Sequence, residues 1–241
     1  MGNAISIKDL SKRYGKNWAL SDVSFDIDEG EVCALVGENG AGKSTLIDIL
    51  LGLLKATKGS ISFGESGRAG LARARRNIGF VPDGCGAFLN LTGRENLISR
   101  CIEWGLPKSE VNRVLAAVGL ENAADASVKQ YSLGMKRRLD IGTALLGDPQ
   151  LLIMDEPING LDPVGVIEVR DLLLSLKDKR DKTVLISSHN LDELEKVATS
   201  FAFLHQGRLL VKEENSYKDR SLEKRFLDLI GEADNATSAT D

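Results

Sequence analysis

The sequence predicts an α/β protein. Its core is mixed, its N-terminus contributes an antiparallel β piece, and a helical subdomain is inserted between the halves of the core. Three observations carry this. Short alternating or β-branched runs come first: AISIKDL, ALSDVSFDID, EVCALVG, SISF and NIGFVP. From about Gly93 to Leu146 the apolar spacing turns helical. Strand and helix patterns then alternate through QLLIMDEP, VGVIEVRDLLLSLKDK, TVLISSHN and LDELEKVA, and SFAFLHQGRLLV closes the series as a hairpin turning at Gln206–Gly207.

Within the helical stretch, SEVNRVLAAVGL places Val111, Val114, Leu115 and Val118 on one face, with Ser109 as the expected N-cap. The expected domain spans residues 1–215, with the helical subdomain at about 85–146. Residues 216–241 read as a short amphipathic helix from Ser221 to Ile230, followed by GEADNATSATD, small and polar enough to be a disordered tail.

At 241 residues, 42% hydrophobic and 27% charged, the chain can bury a sizeable core and has the balance of a soluble globular protein. A formal charge of −4 offers no overall electrostatic footprint for nucleic acid, and no nucleic-acid partner is expected. Cys33, Cys85 and Cys101 show no metal-type pairing; such sparse cysteines fit a reducing compartment, and Cys33 lies in a core strand pattern. No signal-peptide pattern opens the chain. Its longest apolar stretch, LIDILLGLL, is far short of the roughly 20 residues that span a bilayer, so a membrane role requires a partner chain.

EVCALVGENGAGKSTLIDIL runs a buried-strand pattern into Gly37, Asn39, Gly40, Ala41, Gly42, Lys43, Ser44 and Thr45, and then into a helix. This is G-x-x-x-x-G-K-[ST] between the strand and helix it needs. Glycines let successive backbone N–H groups converge into an anion nest at the positive end of a helix. Lys43 is then the group to reach the β- and γ-phosphates of a nucleotide, and the Ser44 hydroxyl a ligand for Mg²⁺. The bland alternative is a glycine-rich β–α turn.

QLLIMDEP is apolar throughout until it ends in two acids, as expected of a strand buried on both faces. Ligands of open α/β sheets sit beyond the carboxyl ends of the strands, which is where Asp155 and Glu156 fall. Asp155 is the natural Mg²⁺ partner, and Glu156 the natural general base for water attacking a γ-phosphate. A solvated strand-end acid pair is the alternative. YSLGMKRR opens a helix with Ser132 as N-cap, Gly134 allowing a close approach, and Lys136, Arg137 and Arg138 near the positive end of the dipole. Alone, it reads as a capped helix with a solvated basic face; an anion docking there would offset the charge placement.

The order GENGAGKST, YSLGMKRRL, LLIMDEP, NGLDP, SSH resembles the nucleotide-binding subunit of ABC transporters, over nearly the whole chain to about Leu210. The resemblance implies a RecA-like core, ATP and Mg²⁺ as cofactors, and two ATP molecules sandwiched between two heads. Ser132 and the Gly134 amide would then complete a neighbour's site, in a homodimer or with a related subunit. Tyr14 in KRYGK matches the aromatic residue that stacks on adenine, and otherwise reads as a strand-end tyrosine. Asp162 matches the acid linking the two sites, and otherwise caps a helix ahead of Pro163. His189 matches the switch histidine at the γ-phosphate, and otherwise is a polar rim residue.

The resemblance is strongest to bacitracin- and lantibiotic-type peptide exporters and self-protection systems, and it departs from the general pattern at two places. Asp83 in GFVPDGCG stands where glutamine is usual; it could bind Mg²⁺ but cannot donate a hydrogen bond when ionised. Leu133 and Met135 replace glycine and glutamine. The expected protein is a cytoplasmic ATPase, peripheral on the inner face of the membrane, powering export through a separate permease. Phe88 and Leu89 in GAFLNLT would anchor a permease helix, unless they pack against the inserted helices. One rival is a soluble ATPase of this type acting on nucleic acid or ribosomes, disfavoured by the single head and absence of heptads. Another is a regulatory nucleotide-binding module with little hydrolysis, against which the set Lys43, Ser44, Asp155, Glu156 and His189 argues.

Overall fold

The computed structural model describes residues 2–64, 75, 77–178, 182–216 and 221–238. Strands β1 (Asn3–Tyr14) and β2 (Asn17–Asp28) form an antiparallel pair, and β4 (Lys58–Phe63) adds to the other edge of β1. Period-two patterning explains the burial. Val23, Phe25 and Ile27 of β2 face inward while the intervening residues face out.

The larger sheet has the order β5-β6-β7-β3-β8-β9, from β5 (Ile78–Val81), β6 (Leu151–Asp155), β7 (Thr183–Ser188), β3 (Val32–Val36), β8 (Ser200–His205) and β9 (Arg208–Glu214). All its pairings are parallel except β8 with β9, which turn back at Gln206 and Gly207, both at positive φ. The strands β3, β6, β7 and β8 are buried throughout, which is why their sequences are mainly apolar, with polar residues confined to the ends of β6, β7 and β8. β3 divides its side chains between two cores. Val32, Ala34 and Val36 face the helical side, while Cys33 and Leu35 face the small sheet and helix α1 (Lys43–Leu51). Burial pushes the Cys33 thiol up to about 12, with the Glu31 charge adding to it, so this cysteine is an inert core residue.

The inserted subdomain holds α2 (Gly93–Trp104), α3 (Glu110–Ala117), two short 3₁₀ turns and α4 (Leu133–Ala144). α2 begins with a capping box, in which Thr92 and Glu95 satisfy each other's backbone N–H groups. Ser109 makes no capping bond and has helical backbone angles, contrary to expectation. The chain is already turning before it, and the carbonyls of Pro107 and Lys108 take the N–H groups of Glu110 and Val111.

Helices α5 (Pro163–Asp178) and α6 (Leu191–Val197) flank β7, and α7 (Leu222–Ser238) closes the chain. α7 runs well past Ile230, where the sequence reading placed a disordered tail. Leu222, Phe226 and Leu229 are buried, and the Phe226 ring stacks 5.9 Å from Phe203 of β8. Farther along, Asp234 lies 3.4 Å from His205 Nε2. Such anchoring carries the helix through Gly231, whose interior position costs only about 1 kcal/mol. No helix among the described residues is long and apolar enough to cross a membrane.

Candidate functional site

β3 delivers the chain into a tight loop at the start of α1. Gly42 has φ 107°, and a Cβ there would come within 2.6 Å of the Ala19 carbonyl oxygen. A Cβ at Gly37 would meet the Leu204 carbonyl at 2.5 Å. Both positions therefore require glycine, one for its backbone angle and contact, the other for contact alone. The loop leads straight into the first turn of α1, an arrangement in which orphan N–H groups converge on a common point.

Lys43 is the first residue of α1 and is buried. Its ammonium donates to the Gly37 carbonyl at 2.6 Å and the Glu38 carbonyl at 3.3 Å, and lies 3.6 Å from Glu156 Oε1. His189 Nδ1 lies 2.9 Å from the other oxygen of the same carboxylate. Glu156 thus stands between a lysine from the cradle and a histidine from the end of β7.

The Ser187 hydroxyl donates to Asp155 Oδ1 at 2.5 Å, and its oxygen accepts the Glu156 N–H at 3.0 Å. The Ser187 carbonyl takes the same N–H at 3.1 Å. Glu156 has φ 48°, a left-handed backbone that costs of order 1 kcal/mol outside glycine. The bonds to Ser187 hold that geometry. Burial and then the charge of Asp155 raise the pKa of Asp48 on α1 from its ordinary value.

A cleft of about 510 Å³ brings together Asn39, Gly40, Gly42, Lys43, Ser44, Thr45, Asp83, Glu156 and His189, all expected from sequence. Ala19, Glu38 and Asn159 also line it and were not anticipated. Gly37, Ala41 and Asp155 are not among its lining residues; Asp155 is buried and held by Ser187. Tyr14, Ser132, Gly134 and Asp162 also lie outside the cleft lining. Tyr14 is half exposed at the end of β1, with Lys12 Nζ 5.1 Å from its ring centre.

Ser132 caps α4, accepting the Met135 N–H at 3.1 Å. The close approach at Gly134 is by backbone, since a Cβ there would be 3.2 Å from Gly165 Cα of α5. Asp162 caps α5, accepting the Gly165 N–H at 2.9 Å just ahead of Pro163. The basic face expected behind Ser132 is not a solvated one. Arg137 is buried and donates to the Pro82 and Gly84 carbonyls. Arg138 donates to the Val118 and Gly119 carbonyls and pairs with Glu168 at 3.3 Å. Protein acceptors take the terminal guanidinium nitrogens of both arginines, while Arg138 Nε is buried without a hydrogen-bond partner among the described residues.

An N–H nest at a helix start, a lysine inside it and strand-end acids across the cleft are the parts of a P-loop nucleoside-triphosphate site. The ABC transporter family model matches residues 20–159, and the chain belongs to that family. It is 42% identical over 212 residues to the bacitracin transport ATP-binding protein BcrA of Bacillus licheniformis, covering 87% of this chain and 69% of that one. It is 41% identical over 210 residues to the lantibiotic transport ATP-binding protein SrtF of Streptococcus pyogenes, covering 87% and 90%. Among solved structures, it superposes with a TM-score of 0.75 on the dimeric post-hydrolysis state of the ATP-binding cassette MJ0796 bound to ADP and Pi. That match has 25% identity and covers 88% of this chain and 98% of that one. The chain is an ATP-binding ATPase cassette with the α/β architecture of its family.

Proposed function

We propose that this cassette powers export of a small molecule or peptide through a separate membrane permease, working as one of a pair of ATPase subunits at the inner face of the membrane. The observation that carries the hydrolytic part is the placement of Glu156 between Lys43 and His189 at the mouth of the cradle. ATP seats its β- and γ-phosphates on the N–H groups of the loop and at Lys43. Glu156 accepts the proton of the attacking water, and His189 orients that carboxylate and meets the γ-phosphate.

The donor set fits Mg²⁺. The Ser44 hydroxyl and Asp155 carboxylate, with Asp83 on the cleft wall, are hard oxygen ligands that would hold it. When bound, it supplies charge neutralisation at the phosphates.

Ser132 and Gly134 lie outside this chain's own cleft, which supports their completing a neighbour's. Phe88 and Leu89 are both substantially exposed, with the Arg100 guanidinium 5.6 Å from the Phe88 ring, which supports a docking surface for a permease helix. Export is carried to this chain from the transport roles named for its relatives. The test is steady-state phosphate release by the purified chain, together with recovery of the tagged protein from membranes in mild detergent. Turnover with a stoichiometric polytopic partner is expected. Recovery only with ribosomal or DNA-bound proteins would replace the transport reading with that of a soluble ATPase.

A further inference from the structure

Asp83 reaches the phosphate cleft on an irregular loop that leaves β5. The backbone of that loop is fastened to α4. Arg137 Nη1 donates to the Pro82 carbonyl at 2.6 Å and to the Gly84 carbonyl at 3.0 Å. One turn along, Asp140 Oδ1 accepts the Gly86 N–H at 3.1 Å. Arg137 and Asp140 are three residues apart on one helix face, and each is 4% exposed. The arginine bonds bracket Asp83 on both sides, leaving its own side-chain rotations as the main freedom. Beyond the clamp, Asn96 of α2 bonds both the N–H and the carbonyl of Phe88, at 2.7 and 3.0 Å. The loop is therefore tied to the helical subdomain at two points.

Stability does not account for the carboxylate. Asp140 Oδ2 is buried without a hydrogen-bond partner among the described residues, and burial raises the acid's pKa to about 6 against the pull of Arg137 and the Gly86 N–H. An apolar side chain would fill the position without that desolvation cost. What the acid and its arginine achieve is to fix a loop whose one cleft-facing acid is Asp83.

We propose that Arg137 and Asp140 are positioning residues for Asp83, clamping its loop to α4 so that the carboxylate is presented to the phosphate cleft in one defined orientation, where it would help hold Mg²⁺. This inference rests on the ATPase reading and adds two residues that do not line the cleft.

The test is a double-mutant cycle between Asp83→Ala and Arg137→Met, read by kcat. It is paired with Mg²⁺ titrations of fluorescent ATP-analogue binding in a Glu156→Gln background, where turnover is suppressed. Each single variant should lower kcat by about tenfold, and the double variant should be no slower than the slower single. Arg137→Met should raise the Mg²⁺ midpoint severalfold and leave metal-free analogue affinity unchanged. Arg137→Lys, which keeps a donor, should recover part of both effects. If Arg137→Met does not fold, Arg137→Lys and Asp140→Asn carry the same cycle. Losses that multiply to about a hundredfold, or an unmoved Mg²⁺ midpoint, overturn the proposal. A wild-type chain that binds nucleotide and releases no phosphate sinks the ATPase reading instead, and the Mg²⁺ titration then still decides the clamp.

Discussion

Glu156 Oε2 and His189 Nδ1 lie 2.9 Å apart, joining the end of β6 to the residue that follows β7. An ionised carboxylate only accepts, so the imidazole carries its proton on Nδ1. The other ring nitrogen is then left for the cleft, which His189 lines, and donates to a phosphate oxygen when the ring carries both protons. The contact sets the histidine tautomer and the carboxylate orientation together, while Lys43 holds the opposite oxygen at 3.6 Å.

Glu156→Gln keeps the shape and removes the proposed base. Turnover should fall by about a hundredfold or more while ATP binding survives and the nucleotide-bound dimer accumulates. Single-turnover hydrolysis and size-exclusion chromatography with ATP check this. Hydrolysis at the wild-type rate would remove Glu156 from the chemistry.

Lys43→Ala acts on binding. The ammonium that would face the phosphates is lost, a charge-assisted interaction of about 1.5–3 kcal/mol, so the Kd for ATP should rise by roughly 10- to 150-fold. Equilibrium titration with a fluorescent analogue reads it. A Kd within twofold of wild type would show that the loop N–H groups suffice.

Ser187→Ala removes one hydroxyl that serves both acids, donating to Asp155 and accepting from the strained Glu156 backbone. A kcat loss of about tenfold is expected with thermal stability lowered by about 1–3 kcal/mol, the cost of a buried bond left unmade. Ser187→Thr should restore much of the rate, and failure of that rescue with a normal fold would argue against the bridge.

Asp140 gives the chain a pH signature. Its folded pKa, about 6, lies above the ordinary 3.8, so the folded state holds its proton more tightly than the unfolded state. Its ionisation therefore costs stability progressively as pH rises from about 4 through about 6, and the cost is fully present above that. Two pKa units correspond to about 3 kcal/mol. Asp140→Asn should flatten this decline, and its stability relative to wild type should improve between pH 4.5 and 7.5. Parallel thermal melts at the two pH values measure the change; identical slopes would mean the acid is not desolvated as described.

Much of the site was legible because its physics is local. The cradle needs glycines at fixed spacing before a lysine, and Gly37, Gly42 and Lys43 are read along a few residues. Ser132 and Asp162 are caps that satisfy N–H groups three residues ahead, again within one turn. The burial of β6 on both faces shows in its unbroken apolar run, and its closing acids follow from where strands of such sheets end.

Other features came only from the fold. Ser187 meets Glu156 across 31 residues because β6 and β7 pair in a register that sets Asp155 beside it. Arg137 looked like part of a solvated basic face, yet it reaches the Pro82 carbonyl across 55 residues and is buried. The length of α7 was likewise decided by packing on β8, over a local composition that reads as tail. Short-range spacing, set by backbone geometry, determined the phosphate cradle, the caps and the strand pattern. The partners of the buried polar side chains were decided by strand register and helix packing, because desolvation forces each such group to find whatever donor or acceptor the tertiary structure places beside it.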